Sequence, residues 1–226
     1  MVYTALFFIL GGMILDIMGH DIRIDRSKLH PWLNYKLTLL LNQCEKKGIY
    51  LIITQGFRSK AEQDNLYAQG RTKPGNIVTN AKGSDYSSQH QWGIAFDIAI
   101  NEKDIYNAAK IKEVAKIAKS KKVGLAWGGD WVSPVDMPHF YLSKWGDTPR
   151  QLKTTYGNFD NFKKTWTKKV SGANENGIRI FGKNKITVLK KGLKNGTKVN
   201  VMYVKGNWVK VEYKGTIGYC KAKYLK

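Results

Sequence analysis

Apolar residues in the first half of the chain follow helical and extended patterns in turn. Leucines recur on one face of a predicted helix that begins near Pro31 and ends before Gly48. The apolar run Tyr50–Thr54 predicts a short buried strand, and further helices are predicted over residues 60–69 and 103–119. Because these elements do not alternate regularly as strand, helix and strand, the pattern predicts an α+β domain.

The stretch from Trp92 to Ile98 alternates large apolar side chains with small ones, which predicts a strand. The face without large apolar groups consists of Gly93, Ala95 and Asp97. We therefore expect the Asp97 carboxylate to lie on an accessible face of the sheet. Two more strands are predicted, Val123–Trp127 and Pro138–Leu142, with a glycine-rich loop between them.

The last part of the chain has a different pattern, with short alternating runs separated by turns rich in Gly, Asn and Lys. The runs are Ile178–Phe181, Ile186–Leu189, Lys198–Tyr203, Trp208–Tyr213 and Thr216–Cys220. Short strands at this spacing predict a small all-β barrel. The polar composition upstream predicts a linker. We expect four segments: an apolar N-terminal segment 1–19, a domain 20–150, a linker 151–173 and a barrel 174–226.

The N-terminal segment is almost wholly apolar from Tyr3 to Leu15. Its length matches the hydrophobic part of a signal peptide and is short for a membrane span of about 20 residues. No basic residue precedes it, and no small-x-small cleavage site follows it. Two interpretations stay open: a leader or marginal anchor, and an over-extended start, since Met13 and Met18 are alternative first residues.

The chain is strongly basic, with 38 Lys and Arg against 17 Asp and Glu and a net charge of +21. Residues 173–226 alone hold 13 basic and 2 acidic residues. Such a field favours polyanions such as nucleic acid, an anionic membrane or a bacterial wall with phosphate polymers. No nucleic-acid motif accompanies the charge, so no nucleic-acid partner is expected. Cys44 and Cys220 are isolated and predict two thiols rather than a disulfide framework.

Two of the four histidines form a pattern with acidic residues. Asp97 follows His90 by seven positions, and Asp136 precedes His139 by three. Two imidazoles and one carboxylate are a typical ligand set of catalytic zinc, whose fourth position is left for water. His90, Asp97 and His139 are therefore predicted to bind one zinc ion, and Asp136 to act as a general base. A hydrogen-bonded structural role is the alternative for either histidine taken alone.

Four strings carry a family resemblance: GFRSKAEQDNLYAQGRTKPGNIVTNAKG, SSQHQWGIAFDI, GLAWGGDW and DMPHF. Over residues 27–145 the chain resembles the VanY-like D-alanyl-D-alanine carboxypeptidase and L-alanyl-D-glutamate peptidase family, in particular its phage endolysin and autolysin branch. The resemblance implies a hedgehog/D-Ala-D-Ala peptidase-like fold, with His90, Asp97 and His139 as zinc ligands and Asp136 as the base.

The same resemblance implies roles for residues around the predicted zinc site. Arg58 would stabilise the negative charge that develops on the scissile carbonyl, and Ser88 and Gln63 would make polar contacts to the substrate or the metal site. Trp127 and Trp131 are expected either to line the cleft or to pack in the core.

The string KGTKVNVMYVKGNWVKVEYKGTIGYCKAKYL resembles bacterial SH3-like domains. This resemblance implies a module that holds a lytic enzyme on a Gram-positive wall. Trp208, Tyr213 and Tyr219 are predicted to line a peptide groove there, with core packing as the alternative for Trp208.

Together these features predict a monomeric zinc-dependent L-alanyl-D-glutamate endopeptidase that cleaves the peptidoglycan stem, as an endolysin or autolysin. Its expected partners are peptidoglycan and anionic wall polymers, with membrane contact only if the N-terminal segment is an anchor. It would act at the cell wall after secretion or anchoring. If it is a phage endolysin, it would be located in the host cytoplasm before lysis. Two alternatives stay open: a D-alanyl-D-alanine carboxypeptidase with the same metal site, and a non-catalytic wall-binding protein.

Overall fold

The computed structural model describes residues 8–10, 13–15, 19–143 and 148–226. The described residues of Gly19–Phe162 form one compact unit, and Lys163–Lys226 belong to a second. Near the N-terminus, β1 (Phe8–Leu10) pairs with the antiparallel β2 (Met13–Leu15). The rest of the predicted leader, anchor or over-extended start lies outside the described residues. Among the described residues, no helix combines the length and apolarity that a membrane span requires.

The first unit is built on a five-stranded sheet in the order β3-β4-β5-β7-β6. Its strands are β3 (Asp21–Ile22), β4 (Leu51–Gln55), β5 (Ala95–Ile100), β6 (Ala126–Trp127) and β7 (His139–Tyr141). The helices along this part of the chain are α1 (Pro31–Glu45), α2 (Lys60–Ala68), α3 (Ala108–Lys119), α4 (Pro149–Tyr156) and α5 (Phe159–Lys164). Only β3 runs parallel to its neighbour, so the predicted α+β class is confirmed.

The helix α1 follows its predicted pattern closely. It begins at Pro31, because proline lacks the N–H that would have no partner in a first turn. The ring nitrogen Nδ1 of His30 caps the helix by accepting a hydrogen bond from the Trp32 N–H at 3.2 Å. The apolar face is fully buried in its centre and consists of Leu33, Leu37, Leu40 and Leu41.

Two elements begin later than the sequence pattern predicts. The helix α3 begins at Ala108 because the Asn107 side chain caps it, accepting a hydrogen bond from the Lys110 N–H at 3.0 Å. The strand β5 begins at Ala95 because residues 89–92 form a 3₁₀ helix that Gly93 ends at a φ of +64°. This 3₁₀ helix places His90 beside the sheet rather than on it.

Residues 151–173, predicted as a linker, contain regular structure. The helices α4 and α5 and the strand β8 (Thr167–Lys169) occupy much of this range. This segment is mostly polar but contains a few apolar residues that are buried. Leu152 and Phe162 are each 3% exposed. Burial of these side chains stabilises helices that composition alone does not indicate.

The second unit has a six-stranded antiparallel sheet in the order β10-β9-β13-β12-β11-β8. The remaining strands are β9 (Ile178–Phe181), β10 (Val188–Leu193), β11 (Lys198–Lys205), β12 (Trp208–Tyr213) and β13 (Thr216–Lys221). Alternate residues of these strands form one apolar core that includes Ile180, Val199, Val211 and Cys220. The predicted all-β architecture is confirmed, and four of the five predicted strands begin at the predicted residue.

Candidate metal centre and active site

Three ligand-type side chains meet at one end of the first sheet. Asp97 of β5 pairs directly with His139 of β7, so both side chains project from the same face. His90 approaches from the 3₁₀ helix that precedes β5. The His139 Nδ1 atom lies 2.9 Å from Asp97 Oδ1, and His90 Nε2 lies 3.2 Å from each of these atoms.

This triangle has the dimensions of one face of a zinc coordination tetrahedron. Zinc bonds of about 2.0–2.2 Å place neighbouring tetrahedral ligands roughly 3.3–3.6 Å apart. The observed separations of 2.9–3.2 Å are only a few tenths of an ångström shorter. The Asp97 side chain is 21% exposed, whereas both histidine side chains are 5% exposed, so the cluster opens to solvent on the aspartate side. His90, Asp97 and His139 could therefore hold a metal ion.

The second nitrogen of each imidazole contacts an oxygen that fixes the ring. His90 Nδ1 lies 2.7 Å from the Gly56 carbonyl oxygen, and His139 Nε2 lies 2.6 Å from Gln89 Oε1. An oxygen acceptor at this nitrogen keeps a ring proton there, so the opposite nitrogen can give up its proton to offer a lone pair when a cation binds. Sequence reasoning did not find Gln89. It adjoins His90 but contacts the other histidine, which is 50 residues away in the chain.

The carboxylate of Asp97 is held in its charged form. Burial by itself would raise its pKa, but the charges of His90 and His139 and their hydrogen bonds outweigh burial and keep the pKa below its usual range. A metal ligand must be deprotonated, so this environment prepares Asp97 for binding a cation.

Asp136 is the spare carboxylate beside the cluster, in the loop that leads into β7. Its backbone N–H donates to the Gly128 carbonyl oxygen at 3.1 Å. A side chain at Gly128 would bring a Cβ atom within 2.6 Å of the Asp136 carbonyl oxygen and 3.0 Å of His139 Cβ. Burial raises the pKa of Asp136, and repulsion from Asp97 raises it further, while His139, His90 and Arg58 oppose the shift. A half-buried carboxyl with a raised pKa is suited to accepting and returning a proton.

Arg58 supplies a cation to the same region. Its backbone N–H donates to the His90 carbonyl oxygen at 3.1 Å, and its Nη1 donates to Gln63 Oε1 at 2.8 Å. Burial lowers the pKa of Arg58, and the charges of Asp97, Glu62 and Asp136 counter the decrease. The Nε of this guanidinium is buried and has no hydrogen-bond partner in the described part of the chain.

Comparisons with known proteins place this site in a family. A family model described as D-alanyl-D-alanine carboxypeptidase matches residues 82–142, which include all four of His90, Asp97, Asp136 and His139. The peptidoglycan L-alanyl-D-glutamate endopeptidase CwlK of Bacillus subtilis (strain 168) is 43% identical over 128 residues, covering 51% of this chain and 74% of that protein. The chain belongs to the D-alanyl-D-alanine carboxypeptidase family of metallopeptidases. The predicted family and enzyme class are thereby confirmed.

Two further comparisons concern the second unit and one solved structure. A bacterial SH3 domain model matches residues 185–226, which confirms the predicted SH3-like domain. The crystal structure of the Serratia marcescens L-Ala D-Glu endopeptidase ChiX aligns with a TM-score of 0.40 and 22% identity. That alignment covers 57% of this chain and 93% of ChiX.

The peptidase uses the other predicted substrate-contact residues in different ways. Gln63 is fully buried, and its Nε2 donates to the Ala81 carbonyl oxygen at 2.8 Å, so its amide holds Arg58 against a neighbouring loop. Ser88 immediately precedes the 3₁₀ helix that carries His90, and its N–H donates to Gln91 Oε1 at 3.5 Å. Both residues are thus placed to support the site.

The two candidate cleft tryptophans differ. Trp127 is 8% exposed, stacks on Phe140 and donates from Nε1 to the Met137 carbonyl oxygen at 2.6 Å. Its contacts are those of a core residue that fixes the loop before His139. The ring of Trp131 lies 5.1 Å from the His139 ring, so Trp131 directly borders the cluster of His90, Asp97 and His139.

The predicted wall-binding aromatics of the SH3-like domain divide between the two faces of its sheet. Tyr219 pairs with Lys210 and Trp208 with Lys221 across β12 and β13, and these side chains share the outer face. Tyr213 packs against the apolar core on the other face. The structure therefore brings Trp208 and Tyr219 together and separates Tyr213 from them.

Proposed function

We propose that this peptidase is a zinc-dependent L-alanyl-D-glutamate endopeptidase that cleaves the stem peptide of peptidoglycan. The observation that carries the proposal is the His90–Asp97–His139 triangle, which has the dimensions of a zinc site. A spare carboxylate and a guanidinium lie in the same region. The choice of bond follows the relative CwlK, whose name specifies that bond.

His90 Nε2, His139 Nδ1 and Asp97 would hold the zinc ion, with Gly56 and Gln89 fixing the two rings. When bound, zinc supplies a Lewis acid that polarises a carbonyl and lowers the pKa of water from about 15.7 to about 7. The remaining chemistry belongs to side chains of the protein.

Asp136 is assigned the proton transfers. As water attacks the carbonyl carbon between L-alanine and D-glutamate, its proton passes to the Asp136 carboxylate. When the carbon–nitrogen bond breaks, the same carboxyl returns a proton to the departing amine of D-glutamate. The raised pKa of Asp136 favours the first transfer, because it makes the carboxylate a stronger base than an exposed one.

Arg58 is assigned the negative charge that develops on the carbonyl oxygen in the transition state. Its guanidinium is fixed by Gln63 and lies in the electrostatic field of Asp97 and Asp136, which supports a cationic role in this region. One preorganised donor of this kind contributes roughly 3 kcal/mol to transition-state stabilisation.

One observation favours a second candidate function. The family model over residues 82–142 is described as D-alanyl-D-alanine carboxypeptidase, so the same site could release the terminal D-alanine instead. In both cases the SH3-like domain would keep the enzyme on the wall.

The deciding experiment is digestion of purified Gram-positive peptidoglycan by the full chain, read by mass spectrometry. We expect new D-glutamate amino termini, loss of their formation with a chelator, and recovery on adding zinc. Release of D-alanine without new D-glutamate termini would identify the carboxypeptidase. Wall binding without any new terminus would identify a non-catalytic wall-binding protein. Cleavage that survives complete metal removal would contradict the zinc assignment.

A further inference from the structure

The outer face of the SH3-like sheet carries a cluster of aromatic and basic side chains. In the strand register, Lys210 lies between Tyr203 of β11 and Tyr219 of β13. Trp208 lies between Lys205 and Lys221 in the same way. Phe181 of β9 pairs with Tyr219 and completes the row. We call this set the aromatic–lysine face: Phe181, Lys185, Tyr203, Lys205, Trp208, Lys210, Tyr219 and Lys221.

Three lysines of the aromatic–lysine face lie over its rings. Lys221 Nζ is 4.2 Å from the centre of the Trp208 ring, and Lys185 Nζ is 5.3 Å from it. Lys210 Nζ is 5.8 Å from the Tyr203 ring and 5.9 Å from the Tyr219 ring. Cation–π contacts hold these ammonium groups above the sheet without neutralising their charge.

Acidic residues do little to balance this charge. Residues 173–226 contain only two, Glu175 and Glu212, against 13 basic residues. Glu212 lies on β12, but its carboxylate accepts from Asn200 Nδ2 at 2.7 Å and from the Gly215 N–H at 2.6 Å. These hydrogen bonds tie its carboxylate to β11 and to the turn after β12, although strand alternation places Glu212 on the same face as Lys210.

Crowding of cations is visible at the centre of the face. Burial lowers the pKa of Lys210, and repulsion from Lys183 lowers it further. An anion bound between these lysines would relieve that repulsion, whereas a neutral ligand would not.

We propose that the aromatic–lysine face binds a phosphodiester polymer of the bacterial wall, a polyol phosphate of the teichoic-acid class. The lysines would pair with successive phosphates, and the rings would contact the C–H groups of the intervening polyols. A neutral peptide would offer no charge to the exposed ammonium groups of Lys185 and Lys221. This inference rests on the proposed action at the wall and adds the ligand class that would hold the enzyme there.

The test measures binding of the full chain to wall sacculi by sedimentation. Sacculi are used intact or after removal of their phosphodiester polymers with hydrofluoric acid. The protein carries Asp136→Asn so that the sacculi stay undigested. Purified poly(glycerol phosphate) in solution is a second probe. We expect strong binding to intact sacculi and to the soluble polymer, and at least tenfold weaker binding to the stripped sacculi.

Matched variants localise the binding. A triple variant with Lys185→Gln, Lys210→Gln and Lys221→Gln should bind on the order of 100-fold more weakly, since each basic residue near an anionic surface contributes about fivefold. A control triple variant changes three lysines outside this face, Lys190, Lys191 and Lys223, to Gln and should lose much less. Replacing the first three lysines by Arg preserves the charge and should restore binding, which separates loss of charge from loss of folding.

Several outcomes would overturn the proposal. Equal binding to intact and stripped sacculi would assign the face to peptidoglycan itself. Equal losses in both triple variants would show that only net charge matters. Tighter, lysine-dependent binding to duplex DNA than to the wall polymer would assign a nucleic-acid ligand instead. Cleavage of soluble stem peptides by the active full chain is scored separately, so a failure of the peptidase function is distinguishable from a failure of this face.

Discussion

The two units of this protein arrange their functional groups in opposite ways. In the peptidase unit, His90 and His139 are each 4% exposed, and each ring is fixed by a second oxygen. In the SH3-like unit, Lys185 and Lys221 are exposed and lie over partly buried rings. Chemistry requires a few atoms in fixed positions, whereas attraction of a polymer requires charge spread over a surface. Single substitutions should therefore have large effects in the first unit and small, additive ones in the second.

The largest expected effect is on catalysis by Asp136→Asn, which removes the proposed base and preserves the side-chain shape. We expect kcat/KM on a soluble stem peptide to fall by about 10²–10⁴-fold, the usual contribution of general acid–base catalysis. Zinc content and wall binding should not change. Steady-state kinetics, metal analysis and sacculus sedimentation measure the three quantities.

The matched control for this variant is Asp130→Asn in the preceding loop. Asp130 is exposed and pairs with Lys119 at 2.9 Å, and exposed pairs contribute little. If the two variants lose activity equally, or if Asp136→Asn retains full activity, the assignment of the base is wrong.

The next effect concerns the Arg58 guanidinium. Arg58→Ala should lower kcat by about 10²–10³-fold, as expected for loss of one preorganised donor to the developing charge. Gln63→Leu should have a smaller effect in the same direction, because Arg58 would lose the acceptor that fixes its Nη1. Arg23→Ala is the control, since Arg23 is an exposed arginine paired with Asp21. A rise in KM with unchanged kcat in Arg58→Ala would assign the guanidinium to ground-state binding instead.

The clustering of His90, Asp97 and His139 was predictable because its signals are local. His90 and Asp97 lie seven residues apart, and Asp136 and His139 three apart, at the ends of short apolar runs. Strand alternation predicted an accessible face for Asp97, whose side chain is 21% exposed beside its strand partner His139. Each of these spacings lies within one short segment of the chain, where the periodicity of apolar residues indicates the local structure.

The supporting residues could not be predicted in this way. Gln89 contacts a histidine that is 50 residues away in the chain. Position 128 needs a glycine because the Asp136 carbonyl oxygen would be too close to a Cβ atom there. The helices α4 and α5 depend on a few buried side chains within a polar segment, which composition interprets as a linker. In each case the deciding contact is tertiary, and no local pattern encodes it.

A smaller effect is expected from the residue that sequence reasoning missed. Gln89→Leu removes the acceptor for His139 Nε2 and should weaken zinc binding by about 10–100-fold, the usual cost of losing such a partner. Gln89→Glu keeps an acceptor oxygen at this position and should retain zinc affinity. Competition with a chromophoric chelator measures both affinities without reference to activity. Equal affinities of Gln89→Leu and the unmodified protein would remove Gln89 from the metal centre.

The last expected effect is on acid stability, and it also separates the two units. All four histidines lie between residues 20 and 139, so residues 163–226 contain none. Burial lowers the pKa of His30 to about 3, from an ordinary value of 6.5. Between pH 6.5 and 3 the unfolded chain binds a proton at His30 that the folded chain does not bind. The contribution of His30 to the free energy of unfolding is therefore fully present above pH 6.5 and decreases as pH falls toward 3.

The slope of this loss is at most about 1.4 kcal/mol per pH unit for one group. His30→Asn should reduce it, because an asparagine oxygen can still cap α1 by accepting the Trp32 N–H but does not titrate over this range. His20, whose pKa burial also lowers, would maintain part of the slope. Hydrogen exchange read by peptide should show the peptidase unit opening first as pH falls, while the histidine-free barrel retains protection. An unchanged slope in His30→Asn would show that His30 does not couple protonation to the folding of this unit.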